Sequence, residues 1–138
     1  DDGGATYQLA RNVLGKAAGQ APVTEPAIVE RVDGSVLLNM RYDWRHDSFP
    51  GDCHCRTVSV SQNEALDWSA PRFVPALPDP VCQASLVRIG DAIYFSNPAA
   101  NGTGTRTAGN RFNLLVRKSA TGTDWSGNPQ MFILLGCR

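Results

Sequence analysis

Ala27-Ile28-Val29-Glu30-Arg31-Val32-Asp33-Gly34-Ser35-Val36-Leu37-Leu38-Asn39-Met40-Arg41 reads as two strands folded about a tight turn. Residues 27–32 and 36–41 are rich in branched and apolar side chains, as strands require. Asp33-Gly34 supplies the turn, because glycine accepts the positive φ that hairpins demand. The stretch is therefore a β-hairpin, and its reading sets the class of the whole chain.

Working outward, the same signals recur. A polar loop runs from Tyr42 to Asp52, Cys53 to Ser61 alternates as a third strand, and Pro71 to Ala76 gives a fourth. The pattern then restarts. Ala84 to Ile89 is a strand, Gly90-Asp91 turns, and Ala92 to Ser96 returns. A Gly- and Asn-rich loop from Pro98 to Asn110 leads to strands at Arg111–Ser119 and Gln130–Leu135. Turn residues punctuate the chain every eight to twelve positions and no useful helical stripe appears, so the class is all-β. A four-stranded antiparallel unit used twice points to a propeller or an array.

Composition narrows the function classes. The 138 residues suit one domain of ordinary size. Thirteen Lys and Arg balance thirteen Asp and Glu, which removes the electrostatic case for nucleic acid or an anionic membrane surface. No apolar run approaches the ~20 residues that span a bilayer. Cys53, Cys55, Cys82 and Cys137 permit three pairings of two disulfides. The Cys53-His54-Cys55 run lacks the paired spacing of zinc modules, so no metal site is expected. Asn101-Gly102-Thr103 is a glycosylation sequon, usable in a secreted or luminal protein.

The repeat carries a marker. Ser61-Gln62-Asn63-Glu64-Ala65-Leu66-Asp67-Trp68 lies between the third and fourth strands of the first unit. Lys118-Ser119-Ala120-Thr121-Gly122-Thr123-Asp124-Trp125 lies at the same place in the second. Asp2-x-Gly4-x-x-Tyr7 has the form of a third copy. All three resemble the Asp-box, Ser-x-Asp-x-Gly-x-x-Trp, a turn between the outer strands of sialidase blades. Asn63 and Ala65 replace the Asp and Gly of the first complete copy, and Ala120 replaces the Asp of the second. The expected organisation is 1–20 as the end of a preceding blade, 21–76 as one blade and 77–138 as the next.

Hairpin arithmetic gathers particular residues at one end. Folding about Asp33-Gly34 brings Glu25 and Arg41 together at the far end, and folding about Gly90-Asp91 sets Gln83 opposite Pro98, beside Asn97. Arg111 opens the strand after the long loop that leaves that same end. Glu25, Arg41, Gln83 and Arg111 are thus expected on one rim, with both long loops. Two arginines and a carboxylate there suit an anion, and solvated rim charges are the competing reading.

Several segments now resemble the exo-α-sialidase family in order and spacing. They are Thr24-Glu25-Pro26, the Asn39-Met40-Arg41 that closes the second strand, and Leu77-Pro78-Asp79-Pro80-Val81-Cys82-Gln83-Ala84-Ser85. Phe95-Ser96-Asn97-Pro98-Ala99 and Arg111-Phe112-Asn113-Leu114-Leu115-Val116-Arg117 follow. Cys53-His54-Cys55-Arg56 is similar to the lysosomal-type animal members. The resemblance implies a segment of a six-bladed propeller, about two blades plus an extra outer strand. It implies release of terminal sialic acid from glycoproteins and glycolipids, ganglioside catabolism included, in a lysosomal or extracellular setting and without a cofactor.

The same resemblance assigns roles. A carboxylate nucleophile would be repelled by the carboxylate on the anomeric carbon of sialic acid, and the family uses a tyrosine there. Glu25 is implied as the base that activates it. Arg41 and Arg111 are implied as two of three arginines clamping the substrate carboxylate, with Gln83 hydrogen-bonding the sugar's side groups. Tyr7, Tyr42 and Tyr94 do not match the nucleophile's position. The tyrosine, the acid/base aspartate, the first clamp arginine and the remaining blades are expected outside these residues, so the segment is expected to be inactive by itself. The alternatives are a propeller that binds sialic acid without hydrolysis and a structural propeller whose rim binds a protein. Trp44 on the rim loop is open to substrate contact or ordinary packing, and Arg45, Arg56 and Arg117 have no assigned role.

Overall fold

The computed structural model describes residues 3–10, 23–42, 53–98 and 114–126. Those residues are all-β, with no helix among them. The strands are β1 (Val23–Glu30), β2 (Val36–Tyr42), β3 (Cys55–Ser61), β4 (Arg72–Pro78), β5 (Ser85–Ile89), β6 (Ala92–Pro98) and β7 (Leu114–Ser119). They form two antiparallel sheets, ordered β1-β2-β3-β4 and β5-β6-β7. Each strand pairs with its neighbour in sequence, the simplest connection short turns allow. The expected strand at 130–135, the segment 111–113 and the long loops at 43–52 and 99–110 lie outside the described residues.

The boundaries depart from expectation for local reasons. β1 begins at Val23, because a register shift between Thr24 and Ala27 lets the ladder continue. Tyr42 closes β2 instead of opening the loop. Its ring meets Phe73 edge-on at 5.1 Å, and its backbone N–H donates to Asp79 Oδ2 at 3.1 Å. β3 starts at Cys55, since His54 has a φ of 49°, which no strand accommodates. In the first hairpin Gly34 takes a φ of 79° and donates to Arg31 O at 3.1 Å, while Asp33 Oδ1 accepts the Ser35 N–H.

The marker turns share one construction. Ser61 and Ser119 end β3 and β7. Ser61 Oγ accepts the N–H groups of Asn63 and Ala65, and Ser119 Oγ accepts those of Thr121 and Gly122. Asn63 Oδ1 accepts the N–H of Asp67 at 2.9 Å, and Thr121 Oγ1 accepts that of Asp124 at 3.0 Å. Thr121, and not the expected Ala120, therefore fills the Asp place in the second turn, which is one residue shorter. Ala65 (φ 66°) and Gly122 (φ 70°) both turn through the left-handed region. At the N-terminus Gly3 and Gly4 also have positive φ, and Tyr7 is exposed.

The core lies between the sheets. Leu37, Val58, Val74 and Leu77 pack against Ile93, Phe95 and Trp125. Burying each such side chain stabilises by roughly 1.5–3 kcal/mol. Trp125 lies 5.7 Å from Phe95, centroid to centroid, and its Nε1 donates to Gly122 O at 2.9 Å. Gly122 sits where a Cβ would meet Leu37 Cδ2 at 2.5 Å.

The ladders also give the direction of packing. Ser61 stands opposite Val36, and Ser119 opposite Ile93. From that common reference, the row Ile28–Leu38–Ser59 corresponds to Leu86–Phe95–Arg117. Phe95 faces the first sheet. Leu38 alternates with Leu37 and so faces away from the second sheet. There it lines a concave pocket of about 340 Å³ with Met40, Pro26, Val23, Trp68 and Ala10. The sheets thus pack front to back, and the front of the first sheet carries Trp68 where the front of the second carries Trp125.

Candidate functional site

The ends of the sheets remote from the hairpin turns hold the site. Thr24 pairs with Arg41 and Ala27 with Asn39, so Glu25 and Pro26 occupy one step of the partner strand. This is a β-bulge, a device that re-aims a side chain. In an unbroken ladder Glu25 would alternate to the face opposite Arg41. With φ at 45° it turns back, and Arg41 Nη1 donates to Glu25 Oε1 at 2.7 Å. The Arg41 side chain is 11% exposed and that of Glu25 38%. Because the carboxylate is open to solvent screening, the pair adds only about 0–1 kcal/mol to stability. The left-handed glutamate costs a comparable or larger amount. The bulge therefore serves placement more than stability.

Behind this pair is a fully buried network. Arg56 on β3 and the Asp79 side chain are 0% exposed and meet at 3.4 Å, Nη1 to Oδ2. Arg56 Nε donates to Asn39 Oδ1 at 2.7 Å, and its Nη1 also donates to Cys82 O at 3.0 Å. Asp79 accepts the backbone N–H of Tyr42 on Oδ2 and that of Cys82 on Oδ1. Its own N–H donates to His54 O at 2.8 Å. Burial pushes the Asp79 carboxyl up and the Arg56 guanidinium down, and their mutual attraction opposes both shifts. Glu25 and Arg41 lie near enough for their charges to act on Arg56. Among the described residues, Arg41 Nε, Asn39 Nδ2 and Arg56 Nη2 are buried donors without an acceptor.

Of the four expected site residues, Glu25 and Arg41 are brought together. Gln83 is exposed, on the connection between β4 and β5. Ser85 pairs with Ser96, and continuing that register sets Gln83 level with Pro98. Asn97, one residue earlier, donates through Nδ2 to Pro78 O at 2.6 Å, tying this end of the second sheet to the first. Arg111, Trp44 and Arg45 lie outside the described residues.

Arg56, Asp79 and Asn39 are the residues sequence reading left without a role. Their signal was present but faint: an arginine inside an alternating apolar strand, and an aspartate between Pro78 and Pro80. Cys53 and Cys55 are joined to each other with Cα atoms 5.2 Å apart, and Cys82 is unbonded among the described residues. Cys137 lies outside them. Among the described residues no three His, Cys, Asp or Glu side chains gather as a metal site, and no helix is long and apolar enough to cross a membrane.

No family model matches the chain, and no curated protein matches it.

Proposed function

We propose that this chain is part of an exo-α-sialidase, releasing terminal sialic acid from glycoproteins and glycolipids with retention at the anomeric carbon. The observation that carries the reading is the Glu25–Arg41 pair. A base and a carboxylate clamp, the roles implied for these two positions, are in direct contact at one end of the sheets through a bulge with a left-handed glutamate.

In this reading Glu25 takes the proton of a tyrosine that attacks the anomeric carbon, since a free phenol, with a pKa of about 10, is a weak nucleophile at neutral pH. Arg41 and Arg111 grip the substrate carboxylate with charge-assisted bonds. Gln83 hydrogen-bonds the sugar's glycerol or N-acyl side. The tyrosine, a third arginine and an acid/base aspartate come from other blades; the aspartate protonates the departing glycan oxygen as the glycosidic bond breaks and then deprotonates the water that frees sialic acid from the tyrosine. The expected setting is a lysosome or the extracellular space.

The same reading places the two sheets as adjacent blades of a six-bladed propeller. Front-to-back packing supports it, because one operation repeated generates a ring, whereas face-to-face packing closes after two sheets. The pocket at Trp68 is then where a preceding blade seats.

The test is hydrolysis of a fluorogenic sialoside by the protein expressed from its complete reading frame. Turnover whose kcat/KM Arg41→Ala reduces at least a hundredfold supports the proposal. Tight binding of sialic acid with no turnover in the wild type replaces it with a non-hydrolysing binder.

A further inference from the structure

We propose that Arg56 and Asp79 are positioning residues, which together fix Arg41 and the Gln83 segment in the geometry a sialoside requires. The choice of ligand rests on the functional reading above; the positional claim rests on the bonds themselves.

Arg41 is bracketed. Two residues before it, Asn39 is held by Arg56 Nε, and one residue after it, the Tyr42 N–H is held by Asp79 Oδ2. Asn39 and Arg41 share a face of β2 by strand alternation. One buried ion pair thus grips the strand on both sides of the residue whose guanidinium reaches Glu25. The other ends of the same groups grip Cys82, through Asp79 Oδ1 on its N–H and Arg56 Nη1 on its carbonyl. Gln83 is the next residue. Two segments 42 positions apart at their site residues, Arg41 and Gln83, are therefore referenced to one carboxylate and one guanidinium.

Core filling alone does not account for this choice. Apolar residues of similar volume often serve a buried ion pair's place at no loss of stability. They cannot direct bonds to two backbone N–H groups, one amide oxygen and one carbonyl in separate segments. Fixed first contacts need such a supporting layer. An error of about 1 Å at a reacting centre can cost roughly a hundredfold in rate.

The experiment uses the protein from its complete reading frame, with Arg56→Lys, Asp79→Asn and Asn39→Ala, each alone and combined with Arg41→Ala. Sialoside kcat and KM, binding of free sialic acid, thermal unfolding and the Arg41 Nε–H resonance are measured. Arg56→Lys is expected to lower kcat/KM by about a hundredfold at temperatures where the protein is fully folded. Once Arg41 is already alanine its further loss should be much smaller, the share carried through the Gln83 segment, and in the wild-type background it should shift the Arg41 Nε–H resonance. A lower unfolding temperature with kcat/KM unchanged, or losses that multiply in full with Arg41→Ala, overturns the proposal. If Arg56→Lys or Asp79→Asn does not fold, Asn39→Ala, which removes only the Nε acceptor, carries the same expectations at about tenfold amplitude. A wild type that neither binds nor cleaves sialosides overturns the functional reading. The positional claim then stands or falls on whether the Arg41 resonance moves in these variants.

Discussion

Trp68 and Trp125 close equivalent turns, yet only Trp125 is covered, at 4% exposure against Phe95 in the interface between the sheets. Trp68 remains half-buried and lines an open pocket with Leu38 and Met40. If a further sheet seats there, Trp68→Ala and Trp125→Ala should each cost about 3–5 kcal/mol in the protein from its complete reading frame. Chemical denaturation measures both. A Trp68→Ala cost below about 1 kcal/mol, beside a full cost for Trp125→Ala, contradicts a covering sheet.

The two turns also predict opposite signs for complementary exchanges. Gly122→Ala forces a Cβ to 2.5 Å from Leu37 Cδ2 at a φ of 70°, combining a clash with a left-handed alanine. It should destabilise by about 2–4 kcal/mol. Ala65→Gly relieves a left-handed alanine at φ 66° and should stabilise by about 1 kcal/mol. Gly34→Ala, with nothing within 4 Å of the added Cβ, should cost only about 1–2 kcal/mol of backbone strain. Equal losses at Gly34 and Gly122 would show that the Leu37 contact is easily accommodated.

Much of this fold was legible because its signals are local. Asp33-Gly34 between two apolar runs gave the hairpin, and the recurring Trp turns gave the two-sheet repeat. The Glu25–Arg41 contact followed from counting residues either side of the turn. The means of making that contact did not, because a residue before proline ordinarily favours extended backbone and Glu25 is left-handed. Arg56 was only faintly legible for a different reason. Strand alternation leaves the choice of face open, and its burial depends on Asp79, 23 positions away. Short-range pattern marks each of the two as unusual but does not pair them. The second turn was read one residue out of place because Thr121 does with a hydroxyl what an aspartate does elsewhere.

Titration should separate three aspartates. Side-chain and then backbone hydrogen bonds from Ser35 hold Asp33 below the ordinary aspartate value, and bonds from Ser126 do the same for Asp124. Their contributions to stability are full above the ordinary value and are lost as pH falls through the lowered folded values. Burial holds Asp79 above the ordinary value, so its contribution has the opposite sign. The folded state takes up that proton first, and stability from this group declines as pH rises through the raised value. Carboxyl NMR titration should find Asp79 above and Asp33 and Asp124 below an unfolded reference. The reverse order contradicts the assigned environments.

Within the proposed mechanism, Glu25 and Arg41 should fail differently. Glu25→Gln keeps a side chain of the same shape while removing the base, so kcat should fall by about 10²–10⁴-fold with little change in binding. Arg41→Ala removes the clamp and should cost roughly 3–5 kcal/mol in kcat/KM, much of it in KM. Matching effects on kcat and KM in both variants would mean that the two residues act only as a structural pair.

If the Glu25–Arg41 pair belongs to a site acting on sialic acid, the rate of sialic acid release from a fluorogenic sialoside by the protein expressed from its complete reading frame, beside its Arg41→Ala variant, will show it. The wild type should turn the substrate over, with kcat/KM at least a hundredfold lower in the variant. No release by the wild type, or equal release by both, contradicts it.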